Sequence, residues 1–148
     1  MDHASPRDLV RQLETEFGPW DLDCAADYLN TVCPRYYQAT SPRVRGHWSF
    51  VDGLARPWRG RCWLNPPYGR GLGAWVAKAR REASRPGTVV VCLLPARTDV
   101  RGWHDHVMVP AVDGGPSAVR FLRGRLRFGG AKGHAPFPSV VVVFGGGA

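Results

Sequence analysis

No stretch of this sequence is apolar for long enough to cross a bilayer: the longest run, Val89 to Pro95, falls far short of the ~20 residues a spanning helix needs. The N-terminus also lacks the form of a signal peptide, so a soluble, cytoplasmic protein is expected. Cysteine is sparse. The four, at 24, 33, 62 and 92, form neither a Cys-x-x-Cys pair nor any metal-ligand spacing, and three lie in apolar runs. That argues against a disulfide framework or a zinc site and for reduced, buried thiols in a reducing compartment. Acid is missing from the last part of the chain. Beyond Asp113 there is no carboxylate side chain, while Arg120, Arg123, Arg125, Arg127 and Lys132 follow. Internal repeats are absent too, and 148 residues suffice for one domain with a real core. The expectation is a single domain over 1–148, with residues 1–4 and 145–148 as flexible ends.

The charge that is present has one dominant sign. The formal net charge is +8 and the pI about 10.0. A second basic group, Arg56, Arg59, Arg61 and Arg70, lies far from the first in sequence, and the two fit opposite sides of a groove for a polyanion. Nucleic acid is the favoured partner, against the blander reading of an arginine-rich solvated surface.

Ser5-Pro6-Arg7-Asp8 opens a helix in which Leu9, Val10, Leu13 and Phe17 recur at helical spacing before Gly18-Pro19 stops it. A short strand is expected at Trp20 to Cys24, and residues 27–60 read as mostly loop with short pieces of structure. Arg61 to Leu64 reads as a central strand. Leu72, Trp75, Val76, Ala79 and Ala83 mark a helix closed by Pro86-Gly87, and Thr88 to Leu94 is continuously apolar, as a strand buried on both faces is. Strand, helix and strand make a βαβ unit, so the sheet is at least partly parallel. A short helix through Trp103 and Val107 follows. Val119 to Leu122 and Leu126 to Phe128 suggest a hairpin or a tight strand junction about Arg123-Gly124-Arg125, and Ser139 to Phe144 a last buried strand.

At the end of the central strand stands Asn65-Pro66-Pro67-Tyr68. Open α/β sheets bind ligands at the carboxyl ends of their strands. The tetrapeptide offers an amide, two rigid imides and an aromatic face. An exocyclic amine on a nucleobase is a poor nucleophile because its lone pair is delocalised into the ring. Acceptance of its hydrogens by the Asn65 side-chain oxygen and the Pro66 carbonyl would localise that pair toward an electrophilic methyl. Pro66 and Pro67 fix φ near ~−65° and stiffen the loop. Tyr68 supplies a stacking face worth roughly 1–3 kcal/mol. The motif does not distinguish adenine N6 from cytosine N4, nor DNA from an RNA base or a protein glutamine. A DNA-binding module without catalysis is the remaining alternative. His104-x-His106 lacks a third ligand and is not read as a metal site.

With these blocks in order, roughly residues 5–144 resemble the S-adenosylmethionine-dependent adenine-N6 DNA methyltransferases, and most closely the short phage and prophage Dam-like family. The blocks are Ser5-Pro6 with its helix, Trp20-Asp21-Leu22-Asp23-Cys24-Ala25-Ala26, Cys33-Pro34-Arg35-Tyr36-Tyr37, Asp52-Gly53-Leu54 with Trp58, and Asn65 to Tyr68. Leu94-Pro95-Ala96-Arg97-Thr98-Asp99, Arg120 to Leu126 and Ala135-Pro136-Phe137-Pro138-Ser139 complete them. The resemblance implies a compact, reduced Rossmann-like methyltransferase fold with a mostly parallel sheet, S-adenosylmethionine as methyl donor with S-adenosylhomocysteine as product, and DNA as partner in a bacterial host cell. It implies neither metal nor membrane and leaves monomer or dimer open.

The same resemblance implies that Asn65, Pro66, Pro67 and Tyr68 carry the reaction on a flipped base, with Phe128 or Phe137 against the base's other face. Asp21, Asp23, Cys24, Ala25, Ala26, Asp52 and Asn65 would meet the cofactor, and Tyr68, Arg70, Arg97, Arg123, Arg125 and Phe128 the nucleic acid. The chain departs from the family in two places: Ala25-Ala26-Asp27 replaces the Gly-rich turn, and no second strand ending in a ribose-binding acid is evident between 27 and 50.

Overall fold

Leu9 and Leu13 stand four residues apart on one stripe, and they are the residues that helix α1 (Pro6–Phe17) buries. A computed structural model describes residues 6–26, 30–39, 52–69, 71–126 and 137–146. Within them lie six strands: β1 (Leu22–Ala26), β2 (Tyr36–Gln38), β3 (Arg61–Leu64), β4 (Val89–Pro95), β5 (Ala118–Phe121) and β6 (Ser139–Gly145). Helix α2 (Leu72–Ala83) links β3 to β4.

The strands form one sheet in the order β2-β1-β3-β4-β6-β5. β2, β1, β3 and β4 run parallel, with Leu22 opposite Cys62 and Leu64 opposite Cys92. β6 is antiparallel to both β4 and β5, so β5 points the same way as β4. The fold is mixed α/β, with its parallel part where the βαβ reading placed it.

Alternation along the buried strands divides the core into two layers. Val90, Cys92 and Leu94 face Trp75, Val76 and Ala79 of α2, while Val91 and Leu93 face Leu9 and Leu13 of α1 together with Trp20 and Trp63. β4 and β6 therefore read as unbroken apolar runs because each face is covered by a helix.

Two strand boundaries differ from expectation. β1 runs Leu22–Ala26 rather than Trp20 to Cys24, because Trp20 packs on Trp63 with ring centroids 5.6 Å apart before strand pairing starts. The described part of 27–60 holds the short pieces of structure expected among its loops. β2 pairs with β1, and Asp52 makes an isolated parallel bridge to Gln38. That second strand ends in Gln38 rather than an acid. Gly145, expected within a flexible end, instead closes β6 opposite Val89. The short helix expected at Trp103–Val107 is a π-helical turn, and β5 pairs with β6. The expected second arm at Leu126 to Phe128 runs beyond the described residues after Leu126, as do residues 1–4, 147 and 148. Among the described residues no helix is long and apolar enough to cross a membrane.

Candidate active site at the carboxyl edge of the sheet

From β1 the chain goes first to β2 on one side and then returns to β3 on the other, so the strand order reverses between β1 and β3. Such a reversal leaves a crevice outside the strands' carboxyl ends. Four pieces of chain meet along that edge. Ala25 and Ala26, both half-buried, end β1; Asp52 lies beside the last residue of β2; Asn65 follows β3; and Arg97 follows β4. Because β6 is antiparallel, it begins at the same edge, with Ser139 opposite Pro95 and the Ala96 N–H donating to the Pro138 carbonyl at 2.9 Å. Phe137 is thereby brought to the Asn65 loop from more than seventy residues away in sequence.

Leu64 is fully buried and anchors that loop; Asn65 is half-buried, Pro66 buried and Pro67 exposed. The Tyr68 hydroxyl donates to Asn65 Oδ1 at 3.2 Å. Burial pushes the Tyr68 phenol up to about 12, so it remains a neutral donor through the working range. Gly69 then takes φ +123°, which a side chain tolerates poorly, and the loop turns into α2. Phe137 meets Tyr68 edge to face, with centroids 5.2 Å apart and planes at 78°. A base held parallel between two rings needs them roughly 7 Å apart, twice a carbon contact distance. As they stand, edge to face, the rings leave no such gap between them. The Arg97 guanidinium lies 5.7 Å from the Phe137 centroid.

The expected cofactor residues divide by position. Asp23 is 3% exposed and turned into the chain: Oδ1 accepts from Ala25 N at 3.4 Å and Oδ2 from Val32 N at 3.0 Å. It shapes the end of β1 through the backbone. Asp21 lies at the opposite, amino edge, where Oδ2 accepts from Arg61 N at 2.8 Å. The five residues of β1 separate it from the crevice by about 16 Å. The Cys24 thiol points into the core, where burial raises its pKa well above the ordinary value, so only its main chain reaches the edge. Asp52 stays at the edge, with Oδ1 accepting from Leu54 N at 2.9 Å in a tight turn.

Among the expected nucleic-acid residues, Arg97, Arg123 and Arg125 are exposed and follow strands whose carboxyl ends share this edge. Arg70 and Phe128 lie outside the described residues. His104 Nε2 is 2.8 Å from the Thr98 carbonyl, whereas His106 Nδ1 is 3.4 Å from Arg80, so the two rings serve different partners. Burial and then Arg80 lower the His106 pKa. Among the described residues no three metal-ligating side chains are grouped. An open depression of about 570 Å³ at the amino edge, lined in part by Arg61, Arg85 and Thr88, contains none of the carboxyl-edge residues.

Sequence reading missed Lys78 and Glu82. Both are buried on the face of α2 that also carries Trp75 and Ala79, and both contact the loop that carries Asp52. The available signal was an i,i+4 pair of opposite charges on the apolar stripe rather than on the solvent side.

A family model described as DNA N-6-adenine-methyltransferase (Dam) matches residues 2–139. A protein of Escherichia phage T1 named DNA N-6-adenine-methyltransferase is 33% identical over 93 residues, which is 63% of this chain and 35% of the phage protein. The matched region thus spans about a third of that relative's length. No solved structure matches the chain significantly. With the family match running from ahead of α1 to the first residue of β6, the chain belongs to the Dam family of DNA N-6-adenine-methyltransferases.

Proposed function

We propose that this chain transfers a methyl group to the exocyclic N6 of adenine in DNA, with the target base taken out of the duplex and laid on Tyr68. The observation that carries the reading is the Asn65–Tyr68 pair, hydrogen-bonded at 3.2 Å and set at the carboxyl edge beside the reversal point of the sheet. The fold in this reading is a compact, Rossmann-like methyltransferase.

S-adenosylmethionine suits the crevice on the chemistry of its lining. Two alanines end β1 with little side-chain bulk, and Asp52 and Asn65 bring oxygen acceptors to either side of them. When bound, this cofactor supplies an electrophilic methyl carried on a sulfonium. Ala25, Ala26, Asp52 and Asn65 would hold it; Asp23 acts through backbone shape, and neither Asp21 nor the Cys24 thiol belongs to the set.

Asn65 Oδ1 has two lone pairs. One receives the Tyr68 hydroxyl, which fixes the amide, and the other receives a hydrogen of the target amine. The Pro66 carbonyl takes the second hydrogen. Both acceptors are held by a loop whose prolines remove φ freedom, so little reorganisation accompanies transfer. The amine nitrogen would gain the methyl as the methyl–sulfur bond of the donor breaks, leaving the thioether S-adenosylhomocysteine, and would release a proton to solvent. The base lies on the face of Tyr68, with Phe137 at its margin rather than over it.

Arg97, Arg123 and Arg125 would contact phosphates around this pocket, fixing the duplex without reading its sequence. Extrusion of the base costs a few kcal/mol, which stacking on Tyr68 partly offsets. The test is incubation of duplex DNA with methyl-labelled S-adenosylmethionine, followed by mass spectrometry of the nucleosides. N6-methyladenine is expected. N4-methylcytosine would assign the same site to cytosine, and no incorporation together with no cofactor binding would overturn the enzymatic reading.

A further inference from the structure

We propose that Trp58 and Glu82 are positioning residues that press the Asp52–Gly53 turn onto the carboxyl end of β1 and so set cofactor affinity, an inference that rests on the cofactor placement proposed above. Gly53 is held from three sides. Its N–H donates to the Gln38 carbonyl at 2.9 Å, its carbonyl accepts from Trp58 Nε1 at 2.8 Å, and its Cα lies so close to β1 that an added Cβ would fall 2.1 Å from the Cys24 carbonyl. The turn that carries Asp52 is therefore seated directly on the cofactor strand.

What holds the seat is a charged group in the core. Glu82 is 2% exposed, and its Oε1 accepts from the Trp58 backbone N–H at 2.9 Å. Lys78, 6% exposed, lies 3.4 Å from the same oxygen and 5.4 Å from the Trp58 ring centroid, while Arg85 lies 3.4 Å from Oε2. The Trp58 ring stacks on Trp75 of α2 with centroids 6.2 Å apart and planes at 19°. Replacement of a buried ion pair by apolar side chains is often neutral or stabilising, so packing alone does not explain why Lys78 and Glu82 occupy this stripe. Their contacts do: the carboxylate fixes the Trp58 backbone, the ammonium caps the Trp58 ring, and the indole then fixes Gly53.

The experiment measures S-adenosylhomocysteine binding by isothermal titration, DNA binding by mobility shift and thermal midpoints for the wild type, Trp58→Phe and Glu82→Gln. Trp58→Phe keeps a ring against Trp75 but loses the donor to Gly53. Its Kd for S-adenosylhomocysteine should rise about 5–10-fold, the size of one lost hydrogen bond, with KM for S-adenosylmethionine following and kcat within about twofold. DNA affinity should stay unchanged. Glu82→Gln keeps an acceptor for the Trp58 N–H and should hold Kd within about threefold of the wild type. Wild-type cofactor affinity in Trp58→Phe overturns the proposal, as does equal weakening of cofactor and DNA binding alongside a lowered midpoint. A wild-type protein that does not bind S-adenosylhomocysteine overturns the cofactor placement itself, a failure visible before any variant is compared.

Discussion

At the scale of single residues, what a side chain does here depends on which edge of the sheet the backbone delivers it to. Asp21 and Asp23 are two residues apart, yet one caps the start of β3 and the other folds back on the end of β1. Their places along β1 separate them, Asp21 just before its first residue and Asp23 within it, and a sequence does not display those bounds until the pairing is known. Asn65 and Tyr68 were legible because the chemistry of the tetrapeptide is local. Phe137 was legible as an aromatic but not as the residue that meets Tyr68 edge-on. The titration of Tyr68 gives a residue-scale prediction. Its phenol ionises near 10 when unfolded but at about 12 in place, so between those values the native state holds the extra proton. Its contribution is fully present below pH 10 and is lost as pH rises from about 10 to 12. Cys33, pushed by burial up to about 11 from an ordinary value near 9, acts with the same sign over roughly pH 9 to 11. Thermal midpoints of the wild type should therefore fall from about pH 9 upward, and the difference between wild type and Tyr68→Phe should shrink between pH 10 and 12. A pH-independent difference would contradict the burial of the phenol.

At the scale of elements, the long apolar segments were readable and the short ones were not. β4, α2 and β6 show themselves through continuous hydrophobic runs and the Pro86-Gly87 stop, and in the structure they form the middle of the molecule. β2 has three residues and no periodicity of its own; it exists because β1 offers an edge for it to pair with. The loop from Asp52 to Trp58 is likewise specified from outside, by Glu82 and Lys78 on a helix twenty residues later. Leu93 tests the layered core directly. It is fully buried between β4's neighbours and the α1 layer. Leu93→Ala should lower stability by about 2–5 kcal/mol in urea unfolding. A loss below about 1 kcal/mol would mean that α1 does not cover this face.

At the scale of the whole molecule, the +8 charge is spread over both edges of the sheet, with Arg61 and Arg85 at the amino edge and three other arginines at the carboxyl edge. Arg97, Arg123 and Arg125 gather on the edge that also carries Asn65, because β4 and β5 point the same way across the intervening β6. If that rim holds phosphates, Arg97→Ala and Arg125→Ala should each lower the slope of log K against log salt for duplex DNA by about 1. An unchanged slope in both would move the DNA to another surface. The role of Asn65 is tested by one assay on two proteins: methyl transfer from labelled S-adenosylmethionine to duplex DNA by the wild type and by Asn65→Ala, with DNA affinity measured alongside. N6-methyladenine is expected from the wild type, and Asn65→Ala should lose at least about 10²-fold in transfer at equal DNA affinity. Transfer by Asn65→Ala at the wild-type rate, or a loss of transfer matched by an equal loss of DNA binding, would contradict it.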